Sequence, residues 1–129
     1  MNASSGASPL TVGAELELIP VHVETRLPVP IQSPTSACSS DILRRVAAKQ
    51  RWCETLNGID PSSWVSASGA TISFEPGGQI EVSSSPHASV TALVQELSEM
   101  TGTLLDTFER FGVILETKGV DPYNSISET

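Results

Sequence analysis

The tripeptide Pro76-Gly77-Gly78 constrains this chain more than any other feature, because it divides the run Thr71–Ser83, TISFEPGGQIEVS, into two halves. Proline fixes one backbone angle and removes a donor, while two glycines open conformations closed to other residues. The chain therefore bulges or turns sharply there, re-aiming two half-strands; an ordinary hairpin tip with its glutamates in water satisfies the same residues. In the second half Ile80 and Val82 point one way and Gln79, Glu81 and Ser83 the other, and Glu75 closes the first half. The run Val12–Ile19 carries the same alternation, with Val12, Ala14, Leu16 and Leu18 on one face and Gly13, Glu15 and Glu17 on the other. A strand rise of roughly 3.3 Å per residue sets the Cα atoms of Glu15 and Glu17 about 6–7 Å apart. Strands are depleted in acidic residues, so glutamates in both runs mark a site rather than a scaffold, although a half-exposed strand with solvated carboxylates is the plainer account of Glu15 and Glu17 taken alone.

Around these strands the pattern is helical or irregular. Residues 1–10 are mostly small and polar and read as a disordered lead-in. Pro20, Pro28, Pro30 and Pro34 predict an extended loop or edge hairpin up to Ser39, within which Val21, Val23 and Leu27 form at most a return strand. His22 lies there without a second histidine or cysteine at ligand spacing and is given no role. The segment Asp41–Leu56 predicts an amphipathic helix capped by Ser39 or Ser40, with Cys53 as a small buried hydrophobe and Arg44, Arg45, Lys49 and Arg51 on a solvated face. Residues 57–69 read as a loop in which Trp64 covers a core edge. A second helix is predicted from Ser89 to Phe111, its apolar positions three and four apart, with Gly112 as its stop and Gly102 as a point of close approach or slight bend. Val113–Thr117 returns as a strand, and the remainder is turn-rich.

Charge narrows the function. Fifteen acidic residues against seven basic give a formal charge of −8, which disfavours nucleic acid and anionic membranes and favours a cation. Two cysteines make neither a disulfide framework nor a thiolate metal motif, and no segment reads as a leader or a membrane span, so a reduced, cytoplasmic setting is expected.

The residues G-A-E-L-E in the first strand, S-F-E-P-G-G-Q-I-E-V-S in the middle and F-G-V-I-L-E-T-K-G-V-D-P-Y near the end resemble, in this order, the N-terminal part of plant-type glutamate-cysteine ligases. These are carboxylate-amine ligases related in fold to glutamine synthetase. The resemblance implies an α+β fold, an antiparallel sheet packed by two helices, making residues 11–129 the N-terminal part of a glutamate-cysteine ligase-like catalytic domain with a partial glutamine synthetase-like fold. It implies ATP-dependent activation of the glutamate γ-carboxylate as an acyl phosphate and attack by the cysteine amine, with glutamate, cysteine and ATP as the small-molecule partners and a product feeding glutathione or ergothioneine synthesis. Carried over by motif, Glu15, Glu17 and Glu81 match Mg2+ ligands, Glu75 matches a ligand or substrate contact, and Gln79 touches substrate or orients a carboxylate. Hard cations take carboxylate and phosphate oxygens, which agrees with these residue types. Such enzymes are several hundred residues long, so the chain is expected to be inactive alone and to leave a surface exposed on which it self-associates. The reading from another class is a non-catalytic binding or assembly module that keeps the fold.

Overall fold

The computed structural model describes residues 10–33, 38–55 and 63–126, with side chains up to residue 119. Its elements are β1 (Leu10–His22), α1 (Ser39–Gln50), β2 (Cys53–Thr55), β3 (Ser63–Val65), β4 (Thr71–Phe74), β5 (Ile80–Ser83), α2 (Val90–Arg110) and β6 (Val113–Ile126). The strands form one six-stranded sheet in the order β2-β3-β4-β5-β1-β6 with every pairing antiparallel, so the expected α+β class with two helices holds.

Period-two alternation decides which face of the sheet is covered. Leu16 and Leu18 of β1, Ile72 of β4, and Ile80 and Val82 of β5 join Ile42, Leu43, Val46 and Ala47 of α1 and Met100, Leu104 and Phe108 of α2 in one core. Both helices therefore lie on one face. Because side chains on neighbouring paired residues share a face, the alternate residues Glu15, Glu17, Ser73, Glu75, Gln79, Glu81 and Ser83 fall together on the other. At the start of α2, Ser89 accepts a hydrogen bond from the amide of Ala92 at 3.1 Å, and Gly112 follows the helix with φ 73°, a conformation glycine adopts without steric cost. No helix among the described residues is long and apolar enough to cross a membrane.

Several local expectations are corrected by tertiary contacts. The first helix ends at Gln50, not near residue 56, because Arg51 takes a left-handed conformation at φ 60° and the amide of Trp52 closes on the carbonyl of Ala47 at 2.9 Å. Trp52 packs against the core at that bend. Cys53 consequently starts β2 and is exposed rather than buried. The helix cap is Cys38, without a side-chain cap bond; Ser39 and Ser40 sit buried in the first turn. Trp64 does not cover an edge. It lies in β3, 1% exposed, with its ring edge-on to Phe74 at 6.3 Å between centroids.

No return strand forms from Val23 and Leu27, both exposed; a single bridge between Val21 and Pro28 closes that turn. A Cβ built on Gly102 meets nothing within 4 Å, so no close approach explains that glycine. The largest correction concerns β6, which runs past Thr117 to Ile126 and pairs with β1 from Val113↔His22 to Ile126↔Leu10. Turn-forming composition loses here because β1 offers 13 residues of backbone to pair with. As the edge strand of the sheet, β6 tolerates Pro122, whose missing donor need not be matched on both sides. Leu10, expected in the lead-in, belongs to β1; residues 1–9 and 56–62 lie outside the described residues, as do residues 34–37 of the proline-rich loop.

The edge-to-face packing of Trp64 makes it a sensitive probe of this core. Trp64→Ala is expected to cost about 3–5 kcal/mol, a large part of the roughly 5–15 kcal/mol available to a domain, read as the shift in urea midpoint by circular dichroism.

Candidate functional site

The hairpin β4–β5 is closed by Pro76-Gly77-Gly78, which resolves the two readings of that tripeptide in favour of a tip. The amide of Gly78 donates to the carbonyl of Glu75 at 2.9 Å, and the amide of Glu75 donates to the carbonyl of Gln79 at 2.8 Å. Gly78 holds φ 95°, giving the three-residue loop that needs a left-handed residue before the returning strand. Its partner Gly77 serves a different need. A Cβ there would stand 2.6 Å from Gln79 Oε1, so the absence of a side chain lets the Gln79 amide lie across the tip. Oε1 of Gln79 is shielded from solvent and has no hydrogen-bond partner among the described residues.

Pairing of β1 with β5 then brings the acids together. Glu17 stands directly opposite Glu81, and Glu15 opposite Ser83. Directly opposed residues on one face have Cβ atoms about 4.5–5.5 Å apart and diagonal ones about 7–8 Å, so like charges here repel at close range. The consequence is visible at Glu81. Partial burial, reinforced by the charges of Glu15, Glu75 and Glu17, pushes its carboxyl above the usual carboxylate range. All five residues singled out in the sequence, Glu15, Glu17, Glu75, Gln79 and Glu81, thus share one face of adjacent strands.

Lys118 is the contact that sequence reading missed. The register of β6 on β1 slips between Glu17 and Leu18: Glu17 pairs with Gly119 and Leu18 with Thr117, so Lys118 is the extra residue of a bulge. Its Nζ reaches Glu17 Oε1 at 3.2 Å. With Lys118 about half exposed this ion pair contributes little to stability, yet it sets a cation beside the acids. The motif E-T-K-G carried a signal, since a lysine before glycine in a strand is a bulge candidate, but only the register reveals its neighbour.

A hard divalent cation is the natural counterion for such a set, whose donors are carboxylate oxygens. Among the described residues no three histidine, cysteine, aspartate or glutamate side chains stand together as a ready-made cage. Mg2+ in general keeps several waters and is held by one or two carboxylates together with substrate phosphates. The residues present therefore fit the ion as a wall rather than as a closed site.

A second polar cluster, also unforeseen, lies at the start of α2. The buried Glu96 carboxylate accepts from Ser68 Oγ, from the Ser85 amide at 2.9 Å, from Ser85 Oγ at 2.9 Å and from His87 Nε2 at 2.8 Å. Burial alone raises its carboxyl, and these hydrogen bonds from Ser68, His87 and Ser85 outweigh burial and hold it below the usual carboxylate range.

Residues 11–129, nearly the whole chain, match the family model described as glutamate-cysteine ligase family 2 (GCS2). No curated protein matches the chain.

The electrostatics of Glu81 yield a prediction independent of any ligand. A carboxyl raised in the folded state favours the fold when protonated, and that contribution is lost as pH rises through its folded value. Glu81→Gln is therefore expected to raise the melting temperature at pH 7–8 by roughly 1–4 °C, the equivalent of relieving one opposed like-charge pair worth about 0.2–1 kcal/mol. The gain should shrink as pH falls through the raised folded value of Glu81 toward the ordinary carboxylate range, where wild-type Glu81 is already protonated; thermal melts across pH 4–8 measure it.

Proposed function

The chain belongs to glutamate-cysteine ligase family 2, a family of ATP-dependent ligases, and from that premise we propose that its acidic sheet face is one wall of a Mg2+·ATP site for γ-glutamyl transfer to an amine. The observation that carries the reading is the opposition of Glu17 and Glu81 across β1 and β5, with Glu15 and Glu75 near enough to disturb Glu81. Four acids set on one face at a cost in stability are hard to account for by packing.

In this reading Glu15, Glu17 and Glu81 would supply the Mg2+ ligands, one or two to an ion, and Glu75 is a further ligand or a substrate contact. The ion, when bound, offsets the charge on the triphosphate and the glutamate γ-carboxylate, the groups between which a phosphoryl transfer forms an acyl phosphate. The protein's own part is to present oxygen donors on rigid strands, because a site built on a sheet holds its geometry better than one on loops. Gln79, whose amide lies over Gly77, is assigned to touch substrate or, through its amide N–H groups, to orient a neighbouring carboxylate. Lys118 shields Glu17 in the absence of the ion and is a cation beside the phosphates in its presence. Glutamate, cysteine and ATP are the substrates we assign, with the chain forming the N-terminal part of a plant-type enzyme; Cys38 and Cys53, both free thiols, fit a reducing, cytoplasmic compartment.

Calorimetric titration of the chain with Mg2+ in the presence of a non-hydrolysable ATP analogue tests the site. Glu15→Gln, Glu17→Gln and Glu81→Gln are each expected to weaken binding by about tenfold or more, the loss of roughly 1.4 kcal/mol or more per carboxylate, with the circular dichroism spectrum unchanged. Wild-type affinity in all three variants would remove the metal assignment. Lys118→Met separates its two roles: it should tighten Mg2+ alone and weaken the Mg2+·nucleotide complex.

A further inference from the structure

The segment between β5 and α2 is tied at both sides. Toward β1, the amide of Ser84 donates to the carbonyl of Ala14 at 2.9 Å and the amide of Ala14 donates to Ser84 Oγ at 2.9 Å. Nearer the start of β1, the amide of Val12 donates to the carbonyl of His87 at 2.8 Å, and the amide of His87 to the carbonyl of Val12 at 2.9 Å. Residues 84–87 thus strap the beginning of β1 on the edge where β5, which ends at Ser83, no longer reaches. Toward α2, the strap is held by one group. Glu96 takes the Ser85 amide, the Ser85 hydroxyl and His87 Nε2, and through Ser68 it also reaches the β3–β4 turn.

We propose that Glu96 is a positioning residue for the acidic face: its buried carboxylate fastens the 84–87 strap, and the strap's hydrogen bonds to Val12 and Ala14 set the height and register of Glu15 on β1. Three observations carry this. Glu96 side-chain exposure is 7%, and an ionised carboxylate is placed in such surroundings only when its hydrogen bonds offset the loss of water. The strap bonds both ways: Ser84 and His87 carry the backbone bonds to β1, and Ser85 and the His87 ring face Glu96. Ala14, gripped on both its amide and its carbonyl, is the neighbour of Glu15. A helix packed on the covered face is in this way mechanically linked to a carboxylate on the open face, without touching it. Ser85 Oγ and the Glu96 carboxylate approach the same ring nitrogen of His87, Nε2, whereas the arrangement of a hydrolytic triad puts nucleophile and acid on opposite nitrogens.

The consequence for the site rests on the Mg2+ reading above; the coupling of Glu96 to β1 does not. Amide hydrogen exchange followed by NMR on the full 129-residue chain separates the two. In Glu96→Gln, and in Ser85→Ala should the first variant fold poorly, the amides of Val12, Ala14, Ser84 and His87 are expected to exchange about tenfold or more faster, while the amides that pair β4 with β5 keep their rates. Mg2+ affinity should fall several-fold in the same variants. Ser68→Ala removes a contact of Glu96 that does not lie on the strap, so it lowers stability while leaving both the strap amides and Mg2+ affinity at wild-type values. Uniform acceleration over the whole sheet, or wild-type exchange at the four strap amides, would overturn the proposal. So would fast strap exchange with unchanged Mg2+ affinity, which would leave Glu96 a structural tie alone. If the wild-type chain binds no Mg2+, the metal reading fails and the exchange pattern by itself decides whether Glu96 fastens β1.

Discussion

Backbone pairing forces glutamates together that their own charges would drive apart, and the arrangement of the molecule depends on that constraint. β1 is hydrogen-bonded on one edge to β5 and the 84–87 strap and on the other to β6 over its whole length. Held from both sides, it has no freedom to slide, and a slip of one residue would bury Glu15 and Glu17 in the core and expose Leu16 and Leu18. The hydrophobic face packed under α1 and α2 therefore fixes the acidic face above it. Stability is spent on one side of the sheet to hold a repulsive cluster on the other, an arrangement found where function requires it.

The alternation of β1 and β5 was legible because period two is a local property: residues 12–18 and 79–83 declare their faces without knowledge of partners. The long helix α2 was legible for the same reason, its stripe and its Gly112 stop being contained in one segment. What could not be read was decided by partners far away in sequence. β6 forms through a run of turn-favouring residues because β1 lies alongside, and Cys53 leaves the expected helix because Trp52 finds the core one turn earlier. Trp64, in a run of serines and small residues, gives no alternation to follow; its burial comes from β4 beside it and from Phe74.

The site divides along the same line. Its glutamates were visible as acids in strands, and the motif around Pro76-Gly77-Gly78 marked the segment, but whether they met depended on the register Glu17↔Glu81. The pairing of Lys118 with Glu17 and the Glu96 cluster could not be read. A bulge exists only between two strands, and Glu96 occupies an ordinary helical position until Ser68 of the β3–β4 turn and Ser85 and His87 of the 84–87 strap converge on it. Gly77 shows the finer grain: a side chain there would displace the Gln79 amide from its place across the tip, whereas the left-handed position of the turn is met by Gly78.

The claim that these carboxylates form a cation site in mutual repulsion is tested most directly by following the side-chain carboxyl carbons of Glu15, Glu17, Glu75 and Glu81 by NMR through a pH titration, with and without Mg2+. The account predicts that without the ion Glu81 titrates above the ordinary carboxylate range, and that saturating Mg2+ moves its midpoint downward with shifts at Glu15 and Glu17. An ordinary midpoint for Glu81 that Mg2+ leaves in place would contradict it.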